Sequence, residues 1–277
     1  MIRKTVSSLL KKYKIRPNKN LGQNFLLETH LMDKMTDALD FYPDEDVLEI
    51  GSGLGVLSAK MARQALSVVG IEKDKKLFEI AKKEFEEQKN LKFIHGNFLD
   101  LNLPNFSKNY HLPMKVLGNI PYNLSSRILF KLLDSHFLFS TAVLTLQKEV
   151  AARLVGPVGT KDYGILTILF GIQTECKKIF DIEPGSFLPP PQVTSSVIKI
   201  TFLKQPPHII HNLELFKKIV RTAFQQRRKT IRNTLKKLLK NGRLNPWGPC
   251  KIDPNLRPEQ ITIPQYVTLA NCLNTLL

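Results

Sequence analysis

The chain has 277 residues, 43% of them hydrophobic, with 41 Lys or Arg against 24 Asp or Glu. That length holds one large domain and a small one with an ordinary globular core, and the longest nearly apolar run, 164–172, is far too short to span a bilayer. The charge of +17 is segregated, seven basic residues and no acid in 1–20, thirteen against three in 205–277, and twenty-one against twenty-one between, so an enzyme core with appendages that grip nucleic acid is favoured over a protein that binds anionic membrane.

Residues 1–16 are basic and include Ser7, Ser8, Leu9 and Leu10, as a transit peptide would. A compact motif begins at Leu21, however, and 1–20 is read as a retained basic arm. Thr29–Leu39 is predicted as a helix, with Leu31, Met35, Ala38 and Leu39 on one side. After Pro43, strand and helix signals alternate. Strands are predicted at Asp46–Ile50, Ser67–Glu72, Leu91–His95, Lys115–Gly118, Thr141–Leu146, Leu166–Ile172 and Ser195–Phe202. Between them, Asp74–Gln88 carries an apolar stripe of Leu77, Ile80, Ala81 and Phe85. Such alternation implies an α/β fold with a mostly parallel sheet, whose ligands sit at the carboxyl ends of the strands.

Past Phe202 the texture changes. Lys204-Gln205-Pro206-Pro207 reads as a linker, and helices follow on the faces Leu215/Ile219/Ala223/Phe224 and Ile231/Leu235/Leu238/Leu239. Asn241-Gly242 fits a C-cap, Pro258 the first turn of another helix, and Tyr266, Leu269 and Leu273 a last one. The domain boundary is therefore placed near residue 204. Cys176, Cys250 and Cys272 are too widely spaced for a zinc site or a disulfide framework, which favours a reducing cytoplasmic setting and no metal.

Val47-Leu48-Glu49-Ile50 runs into Gly51-Ser52-Gly53-Leu54-Gly55, with a helix expected from Val56. A strand, a glycine turn and a helix let a nucleotide-like ligand approach the backbone closely. The G-x-G-x-G spacing differs from that of dinucleotide binders, and no phosphate-binding Lys follows. Glu72 ends the next strand, where a carboxylate can accept from both hydroxyls of a ribose. Asn97, after the third strand, is placed to accept from the cofactor's adenine amine, although a turn-forming Asn is the alternative.

Gly118-Asn119-Ile120-Pro121-Tyr122-Asn123 follows the fourth strand. The exocyclic amine of adenine is a poor nucleophile because its lone pair is delocalised into the ring. Two acceptors on its hydrogens would localise that pair: the Asn119 side-chain oxygen, and the backbone carbonyl before or at Pro121. Pro121 stiffens the loop and brings no N–H to compete. Tyr122 offers a face for an unpaired base. Phe187, in Phe187-Leu188-Pro189-Pro190-Pro191, is expected either to close over the other face of the base or to anchor a rigid loop.

These motifs, with Leu21-Gly22-Gln23-Asn24-Phe25-Leu26 and Gln226-Arg227-Arg228-Lys229-Thr230, resemble the KsgA/RsmA family of small-subunit rRNA adenine dimethyltransferases from residue 18 onward. The resemblance implies a Rossmann-like class I methyltransferase domain at 21–204 that uses S-adenosylmethionine, and a small helical RNA-binding domain at 205–277. It implies N6,N6-dimethylation of two adjacent adenosines in the 3′-terminal hairpin loop of 16S rRNA, in the immature small ribosomal subunit. The enzyme is expected to be a cytoplasmic monomer that does not associate with membranes. Gln23, Asn24 and Leu26 would line the methionine end of the cofactor beside Gly51 and Gly53. Glu72 would hold its ribose and Asn97 its adenine, with Asn119 touching both cofactor and target amine. Arg221, Arg227, Arg228, Lys229 and Arg232 are candidates for phosphate contacts. The family usually has Asp where this chain has Asn97, a departure that bears on cofactor affinity, and the Asn245-Pro246-Trp247-Gly248-Pro249 stretch is also unusual.

Three rival readings are weaker. The antibiotic-resistance (Erm) enzymes that methylate large-subunit rRNA share the glycine turn and the catalytic loop, but residues 226–230 and 253–259 look more like the small-subunit family. An RNA-binding assembly or transcription factor that has lost its chemistry would not need Glu72 and Asn119. An NAD-dependent oxidoreductase fails on glycine spacing and on charge.

Overall fold

A computed structural model describes residues 5–239 and 244–276. The expected C-cap at Asn241-Gly242 lies outside them. The chain divides into two compact units, Met1–Ala151 with Lys177–Phe202, and Ala152–Cys176 with Leu203–Leu277.

In the first unit, helix α1 (Val6–Lys12) opens with a reciprocal cap: Ser8 N–H donates to the Thr5 hydroxyl and Thr5 N–H to the Ser8 hydroxyl. Val6, Leu9 and Leu10 are buried in the main apolar cluster with Phe25, Met35 and Leu57. The basic arm is thus amphipathic: its apolar side belongs to the core, while Lys11 and Lys12 are exposed. Strand β1 (Phe25–Leu26) and helix α2 (Thr29–Leu39) follow, and then the strands β2 (Asp46–Ile50), β3 (Ser67–Glu72), β4 (Leu91–His95), β5 (Met114–Asn119) and β6 (Phe139–Gln147). The intervening helices are α3 (Val56–Met61), α4 (Lys75–Glu84), α5 (Leu103–Ser107) and α6 (Ser125–Asp134), with α7 (Lys148–Val155), which belongs to this unit up to Ala151, after β6. Later segments add β7 (Thr174–Ile182), which belongs to this unit from Lys177 on, β8 (Phe187–Leu188) and β9 (Ser195–Phe202).

The main sheet has the order β4-β3-β2-β5-β6-β9-β7. Its first five strands are parallel, and β9 runs antiparallel to β6. Every residue of β2 is buried, as expected where both faces of a parallel sheet are covered. From β2 the chain steps outward through β3 and β4, then returns to place β5 on the other side of β2. The order reverses between β2 and β5, which opens a crevice at their carboxyl ends. A separate two-stranded pair joins β1 to β8, with Phe25 opposite Leu188 and Leu26 opposite Phe187.

The run Leu166–Ile172, expected as a strand, is helical: α8 spans Ile165–Gly171. A continuous apolar run has no period to separate a buried strand from a buried helix. Here Gly164 N–H donates to the Thr167 hydroxyl, which donates in turn to the Arg153 carbonyl. α8 packs against α9 (Leu213–Phe224) in the second unit. For that reason 152–176 joins this unit, although the sequence placed it with the catalytic domain. The strand that sequence reading missed is β7, whose polar, largely accessible residues hide its pairing.

The second unit continues with α10 (Ile231–Thr234) and α11 (Ile263–Leu276). Its core takes Phe216 and Val220 beside Ile219 and Ala223, while Leu215 and Phe224 of the predicted face are only half-buried. Pro258 begins a short 3-10 turn, Pro258–Gln260, instead of a further α-helix. Cys250 and Cys272 are joined by a disulfide with their Cα atoms 5.9 Å apart, contrary to the expectation from their spacing. Twenty-two residues separate them in sequence, and a turn in which Cys250 N–H donates to the Pro246 carbonyl brings Cys250 to α11. The unusual 245–249 stretch is part of that turn.

Gly55 shows how closely the site's supports are packed. Its φ is +76°, and an added Cβ would lie 2.6 Å from Phe93 Cζ and 3.0 Å from Ala81 Cβ. Gly55→Ala is expected to cost about 2–4 kcal/mol, from left-handed strain and from overpacking. Urea unfolding would check this, and an unchanged midpoint would refute it.

Candidate active site

The crevice at the carboxyl ends of β2, β3, β4 and β5 is a cavity of about 200 Å³. Gln23, Asn24, Leu26, Gly51, Gly53, Glu72, Asn97, Asn119 and Pro121 all line it, whereas Tyr122 and Phe187 do not. Residues from five separate stretches are thus brought to one wall.

The glycine turn leaves β2 with Gly51, Gly53 and Gly55 at φ values of +74°, +55° and +76°. Only glycine adopts this region repeatedly at low cost, and the turn exposes backbone to a ligand. Gly51 and Ser52 N–H both donate to the Ile71 carbonyl, which ties the turn to β3. Glu72 is 7% exposed at the end of β3. Its Oε2 accepts from Gly53 N–H and its Oε1 from Asp74 N–H, each at 2.7 Å. These two bonds hold the carboxylate rigid and leave lone pairs on both oxygens for further donors. Burial pushes its pKa above the usual carboxylate range. A buried carboxylate with backbone donors fits a ligand that brings hydroxyl donors, as a ribose does.

Glu49, also on the cavity wall, is 2% exposed and accepts from the Ser58 hydroxyl. Burial pushes its pKa up to about 8. It was quoted above only as part of a motif. The signal for it was an acid set between apolar residues in mid-strand, beyond Asp46 at the strand's start.

Gln23 closes the cavity from the N-terminal side. Its amide nitrogen donates to Asp74 Oδ2 at 2.9 Å, and its oxygen accepts from Asn18 N–H at 2.8 Å. Asp74 also caps α4 by accepting from Lys76 and Leu77 N–H, so one side chain serves the helix and the cavity rim. Asn119, at the end of β5, donates from Nδ2 to the Asn24 carbonyl at 2.9 Å. With the amide nitrogen engaged, its oxygen is the end available to an incoming amine. The Pro121 carbonyl accepts from Leu124 N–H at 3.0 Å and from the Ser125 hydroxyl at 3.4 Å. Of the two backbone carbonyls considered from sequence, that of Pro121 is therefore already engaged.

Tyr122 is half-buried, and its hydroxyl is hydrogen-bonded to that of Ser195, a wholly buried residue at the start of β9. Burial raises the phenol pKa. Phe187 departs from the stacking expectation: it is 2% exposed, paired through β8 with Leu26 and packed in the main core. In this conformation it serves as the loop anchor, the other reading given above. Asn97 lies on the cavity wall with both ends of its amide engaged, Oδ1 by Leu99 N–H at 3.1 Å and Nδ2 by Asp100 at 3.0 Å.

In the second unit Arg221, Arg228, Lys229 and Arg232 are exposed. Arg227 is not free for a phosphate. It donates to the carbonyls of Thr160 and Lys161 and lies 3.6 Å from the Glu259 carboxylate. These bonds fasten 152–176 to the rest of the unit, a role that the run Arg227-Arg228-Lys229 conceals.

A family model described as ribosomal RNA adenine dimethylase matches residues 15–275. The chain belongs to that family. It is 39% identical over 275 residues to a ribosomal RNA small subunit methyltransferase A from Syntrophus aciditrophicus, covering 97% of this chain and 98% of that one. A protein of the same description from Geobacter metallireducens is 35% identical, over 95% and 97% of the two chains. Among solved structures, a dimethyladenosine transferase from Plasmodium falciparum superposes with a TM-score of 0.75 at 25% identity, over 90% of this chain and 96% of that one. The 23S rRNA methyltransferase ErmE shares the fold, with a TM-score of 0.71 at 23% identity over 91% and 100%. As a member of this family the chain is an S-adenosylmethionine-dependent rRNA adenine dimethyltransferase with a Rossmann-like catalytic domain.

Proposed function

We propose that this enzyme dimethylates N6 of two adjacent adenosines in the 3′-terminal hairpin loop of 16S rRNA, acting on the immature small subunit. The observation that carries this reading is the Asn119–Asn24 hydrogen bond, which sets the amine-binding loop on the wall of the glycine-lined cavity. The cofactor would lie across the strand ends, with its methionine end by Gln23, Asn24, Leu26 and Gly51, its ribose on Glu72 and its adenine at Asn97. When bound, S-adenosylmethionine supplies an electrophilic sulfonium methyl. Asn119 Oδ1 and the Ile120 carbonyl accept from the two hydrogens of the target amine and aim its lone pair at that methyl. Pro121 keeps the loop stiff, and the Tyr122 ring, fixed through Ser195, receives one face of the unstacked base. Positioning and preorganised acceptors supply the rate, without a strong general base, because the alkylated amine loses its proton to water. The basic residues Arg221, Arg228, Lys229 and Arg232 contact phosphates, and the enzyme acts as a cytoplasmic monomer without a metal ion, releasing S-adenosylhomocysteine.

The test is transfer of labelled methyl groups to unmethylated small subunits and, separately, to protein-free large-subunit rRNA, followed by nucleoside analysis. N6,N6-dimethyladenosine on the small subunit alone is expected. Label on the large-subunit RNA alone would overturn the substrate assignment, and binding without label on either would leave an assembly factor.

A further inference from the structure

The turn that follows β4 holds its side chains in an arrangement that the reaction as described does not use. Asn97 Oδ1 accepts from Leu99 N–H at 3.1 Å, and its Nδ2 donates to Asp100 Oδ2 at 3.0 Å. The turn itself is clamped from α6. The Lys131 ammonium donates to the carbonyls of Leu99 and Leu101 at 2.7 and 2.6 Å and lies 5.5 Å from the Phe98 ring centre. Asn97 and Phe98 line the cavity, while Asp100 is exposed.

A primary amide has one acceptor end and one donor end, and a half-turn about its last bond exchanges them. Which end faces a base decides what that base must offer. Adenine presents a donor at N6 and an acceptor at N1. Hypoxanthine presents the reverse. A carboxylate can only accept, so it needs no orienting partner, whereas an amide does.

We propose that Asp100 is a specificity-determining positioning residue, which locks the Asn97 amide with its oxygen toward the cavity so that the site accepts an adenine amine and rejects a 6-keto base. Asp100 takes the donor end, and Leu99 N–H occupies one lone pair of Oδ1, leaving the second for the ligand. The hydrogen bond from Nδ2 to Asp100 also polarises the amide and strengthens its oxygen as an acceptor. Asn97 with Asp100 thus performs as a pair what a lone carboxylate would do alone. This rests on the placement of the cofactor's adenine at Asn97.

The experiment is calorimetric titration of the full chain with S-adenosylhomocysteine and with its hypoxanthine counterpart, S-inosylhomocysteine. In Asp100→Ala the Nδ2 end of the amide loses its acceptor, and Leu99 N–H alone still orients it. Binding of the adenine compound is expected to weaken roughly fivefold, while that of the inosine compound holds or improves, so discrimination shrinks. Asp100→Asn, whose own oxygen can still accept from Asn97 Nδ2, is expected to keep most of the discrimination. Equal weakening of both ligands in Asp100→Ala would reduce Asp100 to a turn former and overturn the proposal, as would no change in either. Asn97→Ala separates the two layers. Loss of discrimination there with none in Asp100→Ala overturns only the role of Asp100. Unchanged discrimination in Asn97→Ala overturns the adenine placement beneath it as well.

Discussion

Asn119→Ala is expected to lower methyl transfer about a hundredfold or more while leaving RNA affinity within a small factor of wild type. The substitution removes the oxygen proposed to accept from the target amine and the Nδ2 donor that ties β5 to the Asn24 carbonyl. The first loss acts only as the amine approaches tetrahedral geometry, so it falls on turnover. The second loosens the Gly22–Asn24 segment of the first unit, whereas the exposed basic side chains belong to the second. Single-turnover kinetics on unmethylated small subunits, paired with filter binding, would separate the two. Near-wild-type turnover would remove Asn119 from the mechanism. A parallel loss of RNA binding would show that the variant damages the fold instead.

Glu72→Gln is expected to weaken cofactor binding by about a hundredfold, although it changes a single atom. Each carboxylate oxygen faces a backbone N–H, one from Gly53 and one from Asp74. An amide must turn its own N–H toward one of them, and two buried donors then face each other with no acceptor, at a cost of about 1–3 kcal/mol before the lost ribose contacts are counted. Protonation of Glu72 has a similar effect, since it too converts an acceptor into a donor. Burial raises the pKa of this group, so affinity for S-adenosylhomocysteine is expected to fall on acidification from a higher pH than an ordinary glutamate would give. The ionised form binds, so affinity is retained above that pKa and lost below it. Titration calorimetry across acid and neutral pH checks both statements. A Glu72→Gln variant that binds like wild type, or a flat pH profile in the unaltered enzyme, would contradict them.

The catalytic half of the fold was legible because its signals are local and periodic. The strands at 46–50, 67–72 and 91–95 have the expected bounds, and the glycine turn announces itself by composition. The nine residues expected around the cofactor and the Asn119-x-Pro121 loop all line one cavity, because strand ends in a parallel sheet converge there. What escaped depends on partners distant in sequence. Leu166–Ile172 is apolar but for Thr167 and shows no period, and its packing against α9 goes with helix. β7 is too polar to read as a strand. Arg227 looks like its neighbours Arg228 and Lys229 until the Thr160 and Lys161 carbonyls are found beside it. Phe187 left base stacking and loop anchoring both open, and only its pairing with Leu26 shows it buried. The Cys250–Cys272 bond is a meeting of a turn with a terminal helix that no spacing rule encodes.

The pairing of β1 with β8 also bears on time as well as space. Phe25–Leu26 leaves the ribosome early, but its partner Phe187–Leu188 is made about 160 residues later. At about 5–20 residues per second, that is an interval of about 8–30 s. During it Phe25 and Leu26, which line the cavity, have no strand to join. A cofactor-binding crevice can therefore be completed only once nearly the whole first unit has been synthesised, and nascent chains arrested between those points should carry the glycine turn without being able to retain the ligand.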